Sequence, residues 1–189
     1  MTDNTDTRRF EKMALPHLDA AYNLARWLTH NDQDAQDVVQ EAWLRALKYF
    51  GSFRGESARP WLLQIVRHTC FSWLQANRPA DLVSLDDEEA CDEIPAPAGD
   101  EPQAVALRLA DREQINRAIR ALPACYRDVL ILREMEDLSY RQIAKIAGIP
   151  IGTVMSRLGR ARGLLRRSLT AGTRPVLRSV AGSTHIGVK

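Results

Sequence analysis

The chain has 189 residues, of which 45% are hydrophobic and 26% charged, with a mean hydropathy of −0.30. This length suits one ordinary domain or two small ones, and the hydrophobic share is too high for a disordered chain. No apolar run approaches the ~20 residues of a membrane helix, and the first nine residues lack the apolar core of a signal peptide. We therefore expect a cytoplasmic protein without membrane insertion.

Cysteine and histidine give no sign of a metal site or a cofactor. The three cysteines have no CxxC spacing and are odd in number, and the four histidines are scattered along the chain. Neither a disulfide scaffold nor a zinc module follows from this pattern. We expect no bound cofactor and no bound metal.

The net charge of +2 conceals three segments of different sign. Residues 1–78 carry 10 basic and 9 acidic side chains, residues 79–103 carry 9 acidic and no basic ones, and residues 104–189 carry 16 basic and 6 acidic ones. Asp137 is the last acidic residue, and ten Lys or Arg follow it. Such a split predicts a C-terminal domain that faces nucleic acid.

The acidic segment also divides the chain. It contains four prolines and charges that repel one another, so residues 79–103 are predicted to form a flexible linker. The sequence therefore predicts two small domains, at 1–78 and 104–170, and a disordered tail at 171–189.

Both domains are predicted to be all-α. Apolar residues recur at helical spacing from Ala35 to Phe50, and Pro60 suits the first turn of a helix that runs to Asn77. An earlier helix is predicted over Arg8–Leu28, with Pro16 limiting its regularity. The second domain is predicted to contain helices at Pro102–Leu122, Pro123–Glu136, Ser139–Ala147 and Pro150–Leu169.

The last two predicted helices have the sequence pattern of a helix-turn-helix. Ser139 can cap the first, Gly148 suits a left-handed C-terminal cap, and Pro150 can begin the second. At 100° per residue, Val154, Leu158, Ala161, Leu165 and Leu169 form the buried stripe of the second helix. Opposite that stripe lies a basic face suited to the major groove, with Ser156 and Arg160 on it and Arg157 and Arg162 on its flanks. Near the helix start, Gly152 and Thr153 can offer backbone N–H groups to phosphate.

These residues resemble the C-terminal domain of extracytoplasmic-function sigma factors of bacterial RNA polymerase. The resemblance is carried by Leu122-Pro123, Tyr126-Arg127, Val129–Glu134, Leu138-Ser-Tyr140, Ile143-Ala144, Pro150-Ile-Gly-Thr-Val154 and Ser156-Arg-Leu-Gly-Arg-Ala-Arg162. It implies a −35 promoter-binding set that comprises Tyr140, Arg141, Gly152, Thr153, Ser156, Arg157, Arg160 and Arg162. Three positions depart from the family pattern: Met155 stands where a basic residue is common, and Arg141-Gln142 stand where acids are common.

The N-terminal domain resembles the same family independently, at Asp34–Ala46 and at Phe53-Arg-Gly-Glu-Ser57 with Pro60-Trp-Leu62. The resemblance implies that Asp37, Gln40, Glu41 and Arg45 bind the clamp of the largest polymerase subunit. It implies that the loop Phe53–Ser57 walls a pocket for an unpaired base, and that the −10 element is bound by Arg54, Ser57, Trp61, Arg67, His68 and Ser72. Periodicity alone places Arg67 and His68 on the open side of their helix, and it favours a core role for Trp43, Trp61 and Trp73.

The implied function is a sigma factor that directs promoter-specific initiation and helps to melt the −10 region. Its implied partners are core RNA polymerase (clamp, and flap of the second-largest subunit), promoter DNA and an anti-sigma factor. A DNA-binding regulator of the response-regulator output type is an alternative, because it would share the helix-turn-helix. A pure interaction protein held by a partner also stays open. An enzyme is disfavoured because the sequence has no Gly-rich phosphate loop, GxSxG or HExxH motif.

Overall fold

The structure, a computed structural model, describes residues 4–54, 57–78 and 104–172. All regular elements in these ranges are helical, which confirms the all-α fold class. The first four helices are α1 Asn4–Ala14, α2 Leu18–Thr29, α3 Asp32–Tyr49 and α4 Ala58–Asn77, which we call the N-terminal block. The last four are α5 Ala104–Arg120, α6 Ala124–Glu134, α7 Tyr140–Ala147 and α8 Ile151–Gly172, which we call the C-terminal block.

The single helix predicted over Arg8–Leu28 is wrong, because the chain breaks it at Pro16. A short 3-10 turn at Leu15–His17 separates α1 from α2. Proline has no N–H to donate and its ring clashes with the preceding turn, so a continuous α-helix is unfavourable there. The break lets both halves pack inward, with Phe10 on α1 and Leu24 and Leu28 on α2 fully buried.

Helix α3 follows the predicted apolar stripe. Asn31 caps its start, since the side-chain Oδ1 accepts hydrogen bonds from the Gln33 N–H at 2.7 Å and the Asp34 N–H at 3.1 Å. The positions predicted to face the core are buried or half-buried, and the fully buried ones are small or β-branched: Ala35, Val38, Val39, Ala42 and Ala46. Small side chains on this stripe allow α2 and α4 to pack closely against α3.

An aromatic cluster lies where α1, the end of α3 and the start of α4 meet. Phe10 contacts Trp43 edge-on with ring centroids 4.8 Å apart, and it contacts Phe50 at 5.4 Å. Trp61 lies 4.8 Å from Phe53. Because such ring pairs add stability beyond the area they bury, the cluster holds the loop after α3 against the start of α4. Trp43, Trp61 and Trp73 are all half-buried against the core, as periodicity favoured.

Helix α6 is the centre of the C-terminal block. Every residue from Ala124 to Leu132 is buried, including Arg127 and Asp128. One side of α6 packs against α7 and α8, where Ile143 and Leu158 are fully buried. Its other side packs against α2 of the N-terminal block, and α7 packs against α4. The two blocks are therefore in direct contact, which the sequence did not indicate.

Two predicted segments fall partly or wholly beyond what the structure describes. The predicted linker at 79–103 lies outside the described residues, as do residues 173–189 of the predicted tail. Residues 171 and 172, the last two of α8, fall within the segment predicted as a tail.

The helix-turn-helix offers a matched pair of glycines for a stability test. Gly148 has φ +67°, a conformation that an L side chain adopts at a cost of about 1 kcal/mol. Gly159 lies inside α8, and a Cβ built there meets nothing within 4 Å. We expect Gly148→Ala to lower the free energy of unfolding by about 1 kcal/mol and Gly159→Ala to raise it by up to about 1 kcal/mol. Urea unfolding of both variants checks this, and a loss of stability in Gly159→Ala would contradict it.

Candidate nucleic-acid interface

Capping interactions at both ends of α7 fix the turn between α7 and α8. The Ser139 hydroxyl accepts a hydrogen bond from the Gln142 N–H at 3.3 Å, while Gln142 Oε1 accepts one from the Ser139 N–H at 2.9 Å. This reciprocal capping box satisfies backbone donors at the start of α7. Gly148 ends α7 in the left-handed region, and the Ile149 N–H then donates to the Ala144 carbonyl at 3.1 Å. The predicted caps at Ser139 and Gly148 are confirmed.

Helix α8 presents an acid-free surface to solvent. Its inner stripe is fixed by Val154, Leu158 and Ala161, each at most 1% exposed. Opposite the stripe, Ser156 and Arg160 are exposed. No Asp or Glu occurs anywhere in residues 151–172, so nothing on the helix offsets its arginines. A positive, exposed helix face at the end of a helix-turn-helix is what docking into the negatively charged major groove requires.

The residues predicted to bind the −35 element differ in their solvent exposure. Tyr140, Thr153 and Arg157 are half-buried, and the rest are exposed: Arg141, Gly152, Ser156, Arg160 and Arg162. Met155, which replaces the family's basic residue, is 56% exposed. The structure therefore keeps the set on one element pair, α7 and α8, but it presents its members to solvent unequally.

Two arginines of this set are engaged within the protein. Arg162 Nη2 donates to Glu134 Oε1 at 2.6 Å, and hydrogen bonds to Glu134 and Tyr140 raise the pKa of the Arg162 guanidinium. Arg157 lies close enough for its charge to act on the Asp128 carboxylate. Arg160 is exposed in the middle of the face opposite the buried stripe.

The position of Arg67 on α4 disagrees with the sequence-based interpretation. Arg67 was expected on the open side of the helix, yet it is only 8% exposed. Its Nε donates to Asp128 Oδ2 at 2.6 Å, and its guanidinium lies 4.3 Å from the centre of the Phe71 ring. The reason is tertiary: Asp128 belongs to α6, which sequence periodicity within α4 cannot detect.

The other predicted members of the −10 set lie at the surface or at its edge. His68 and Ser72, one helical turn apart on α4, are both exposed, as are Arg54 and Ser57 at the preceding loop. Trp61 is half-buried in the aromatic cluster. Partial burial, assisted by the charge of Arg67, lowers the pKa of His68, so its imidazole is neutral at pH 7.

An open cavity of about 590 Å³ adjoins the loop before α4. Of the loop predicted to wall a pocket, Phe53 and Arg54 line this cavity and Ser57 does not, while Gly55 and Glu56 lie outside the described residues. The Arg54 guanidinium donates to the Gly51 carbonyl at 2.7 Å. The complete lining combines aromatic and charged groups: Asp6, Arg9, Met13, Phe50, Gly51, Phe53 and Arg54. Aromatic faces and arginines are the groups that hold unstacked bases.

The predicted polymerase-binding residues lie together on the outward face of α3. Asp37, Gln40, Glu41 and Arg45 are all exposed, and Arg45 pairs with Glu41 one turn away. Leu44 is also on this face and is 60% exposed. The sequence-based interpretation omitted Leu44, although an apolar residue off the buried stripe was a detectable signal.

Four further polar residues were missed because they act between the blocks. Asp128 is fully buried, and Glu136, 5% exposed, accepts hydrogen bonds from Asn23 Nδ2 at 2.8 Å and Arg59 Nη2 at 2.6 Å. A carboxylate within the apolar run around Val129 was a sequence signal for a buried partner. Nothing local identified which residue that partner would be.

No group of three or more His, Cys, Asp or Glu side chains in the described part of the chain is placed to hold a metal ion. Among the same residues, no helix is both long and apolar enough to cross a membrane.

Comparison with known proteins decides the family. A family model described as Sigma-70 region 2 matches residues 13–79, and one described as Sigma-70, region 4 matches residues 112–165. The RNA polymerase sigma-H factor of Pseudomonas aeruginosa is 36% identical over 178 residues, which cover 92% of this chain and 90% of that protein. The ECF RNA polymerase sigma-E factor of Escherichia coli K12 is 38% identical over 139 residues. These residues cover 68% of this chain and 70% of that protein. The chain belongs to the extracytoplasmic-function sigma factors.

Solved structures agree with this assignment. The sigma factor RpoE of Bartonella quintana, crystallised with the anti-sigma factor NepR, matches with a TM-score of 0.65 at 26% identity and covers 86% of this chain and 98% of its own. CnrH, in complex with the cytosolic domain of CnrY, shares the fold with a TM-score of 0.61 at 23% identity, covering 87% of this chain and 90% of that one.

Family membership settles the broad role. Sigma factors bind core RNA polymerase and promoter DNA, and they direct promoter-dependent transcription initiation rather than catalyse a reaction. The region 2 match over the N-terminal block also decides against a response-regulator output domain, which needs no such block.

Proposed function

We propose that this sigma factor reads the −35 element with α7 and α8, reads and helps to melt the −10 element with α4 and its preceding loop, and binds core polymerase through α3. The observation that carries the proposal is the acid-free, exposed face of α8 around Ser156 and Arg160. Arginine can pair with guanine O6 and N7, and serine can accept or donate a hydrogen bond. The same face supplies positive charge against the phosphates.

Melting would draw on the N-terminal block. Unstacking a base step costs a few kcal/mol, and that cost must be offset by contacts to the separated strand. The cavity bounded by Phe53 and Arg54 supports such a role, because it combines ring faces with a cation at the surface. His68 and Ser72 lie one turn apart on the exposed side of α4, where neutral imidazole and hydroxyl groups can hydrogen-bond to base edges.

We further propose residues 1–78 and 104–170 as the two functional domains, with 79–103 as a linker between them and 171–189 as a tail. The exposed face of α3, which combines Asp37, Glu41 and Arg45 with Leu44, suits the polymerase clamp, and the C-terminal domain suits the flap. The protein would work in the cytoplasm and perform no catalysis of its own. An anti-sigma factor is a proposed partner, because the similar RpoE was crystallised with one.

In vitro transcription tests the central proposal. Core polymerase with this protein and a promoter library should yield transcripts from defined start sites. With a template selected in that way, Arg160→Ala should reduce initiation by a factor between about 5 and about 150, since a good arginine–guanine pair contributes ~1–3 kcal/mol of discrimination. Its affinity for core polymerase should be unchanged.

The control for Arg160 is Arg117→Ala, which removes the same charge from an exposed position on α5. Arg117→Ala should leave initiation near the wild-type level. Equal losses in both variants, or a matching loss of polymerase affinity in Arg160→Ala, would contradict the assignment of Arg160 to promoter reading.

Leu44 tests the polymerase-binding face. Apolar side chains surrounded by charged ones are typical anchors of protein interfaces. We expect Leu44→Ala to weaken binding to core polymerase about tenfold, as measured by fluorescence anisotropy of labelled sigma factor, without lowering thermal stability. Leu15→Ala is the matched control, because Leu15 is 54% exposed on the turn after α1. Equal binding by both variants would remove Leu44 from the interface.

Met155 tests whether the exposed face of α8 lies against phosphates. If it does, Met155→Lys adds one phosphate contact, and the slope of log K against log salt on duplex DNA of mixed sequence should steepen by roughly 0.9. Glu113→Lys, at an exposed site on α5, controls for added positive charge elsewhere. An unchanged slope in Met155→Lys would place this face away from the DNA backbone.

A further inference from the structure

Two large apolar side chains are exposed in the N-terminal half of α8. Ile151 is 42% exposed and Met155 is 56% exposed, whereas Val154 and Leu158 are buried. Residues four apart lie one helical turn apart on the same side of a helix, so Ile151 and Met155 form a continuous apolar strip, which we call the α8 strip. No other large apolar side chain that the structure describes on this helix is exposed.

The strip lies along one edge of the exposed face of α8. At 100° per residue, Met155 is about 100° from Ser156 around the helix, and Arg160 is about 40° from Ser156 on the other side. Between them, in the first three turns, lie Gly152, Ser156 and Gly159, and a Cβ built on either glycine meets nothing within 4 Å. A base edge can therefore come close to the helix backbone, with Met155 on one side of it and Arg160 on the other.

The surroundings of the strip favour DNA over a protein as its occupant. Residues 151–172 contain no Asp or Glu, so the strip lies in a region of positive charge that attracts phosphates. The N-terminal half of the second helix of a helix-turn-helix is the part that contacts base edges. A stable protein interface buries about 800 Å² on each partner, and two side chains cannot supply that area.

The chemistry of the major groove identifies the base. Thymine alone among the four bases presents an apolar group there, its C5-methyl, and apolar side chains contact that methyl. The thioether of methionine is flexible and polarizable, so it can adapt to the position of the methyl group. The transfer of one such group from water to an apolar contact stabilises a complex by ~0.8 kcal/mol, which corresponds to about fourfold in affinity.

We propose that Ile151 and Met155 are specificity-determining residues that read the C5-methyl groups of thymines in the −35 element. The inference rests on the proposed function, which places α8 in the major groove, and it adds the base that this edge of the helix selects. The two residues are about 6 Å apart along the helix axis, close to two base-pair steps of ~3.4 Å. The strip can therefore contact thymines at two neighbouring positions.

Replacement of thymine by deoxyuridine tests the proposal, because it removes the methyl group and leaves the base pairing unchanged. Holoenzyme assembled from core polymerase and the full-length protein first selects its −35 element from duplexes randomised in that region. Each thymine of the selected element is then replaced in turn by deoxyuridine, and the affinity of the holoenzyme is measured by competition. The wild type should lose about fourfold in affinity at one or two of the thymines.

Variants of the strip show which residue reads each methyl group. At the thymine that Met155 contacts, Met155→Ala should bind the thymine and deoxyuridine duplexes equally. Met155→Leu keeps an apolar side chain of similar size and should keep the discrimination. Ile151→Ala should lose the discrimination at the neighbouring thymine. Ile115→Ala is the matched control, because Ile115 is 43% exposed on α5, and it should discriminate as the wild type does.

The ratio of the two affinities separates base reading from a structural role. A variant that only weakened the helix would lose affinity for both duplexes and keep their ratio, and thermal unfolding verifies that each variant is folded. Met155→Lys, which on DNA of mixed sequence measures an added phosphate contact, should lose the methyl discrimination on the selected element as Met155→Ala does.

Three results would overturn the inference while the selected element still supports the proposed function. They are a selected element in which no thymine responds to the loss of its methyl group, the same response in Met155→Ala and Ile151→Ala as in the wild type, and a loss of core polymerase affinity in Met155→Ala with the ratio unchanged. The last result would assign the strip to a protein interface. If the holoenzyme selects no sequence in the −35 region, the proposed function fails, and the inference fails with it.

Discussion

The burial of α6 on all its sides is the constraint on which the rest of the structure depends. Its residues from Ala124 to Leu132 have no exposed face, so the helix needs one set of neighbours from its own block and another from α2. Its two charged residues, Arg127 and Asp128, must then find partners within the protein. Arg127 donates to the carbonyls of Arg120 and Leu122 at the end of α5, at 2.6 and 2.7 Å, where a cation suits the helix dipole. Asp128 accepts a hydrogen bond from Arg67 of α4, in the N-terminal block.

This requirement gives α6 two roles. The apolar part of α6, with Val129 and Ile131 fully buried, holds the C-terminal block together. Its outer side packs against α2, and the hydrogen bonds of Asp128 and Glu136 join the two blocks at specific positions.

Charge is distributed so that the exposed face of α8 carries basic side chains and no acidic ones. Helix α8 has no acid of its own, and the nearest paired carboxylates, Glu134 and Asp128, lie at its flank and beneath it. Glu134 orients Arg162, while Arg160 on the opposite side from Leu158 stays exposed. The separation of acidic and basic side chains therefore gives the block a positive face without leaving buried charges unpaired.

The amino-acid sequence by itself determined most of the helices, although not the break at Pro16 that separates α1 from α2. The capping box at Ser139, the left-handed Gly148 and the stripe of Val154 and Leu158 depend on residues close together in the chain, so pattern and propensity were sufficient to predict them. The exposed face of α3 followed from periodicity in the same way. Only tertiary structure decided that Arg67 is covered, that Glu136 joins the blocks and that α6 has no free side. Periodicity shows which face of a helix points away from the core of its own block. It does not show whether another block, distant in the sequence, covers that face.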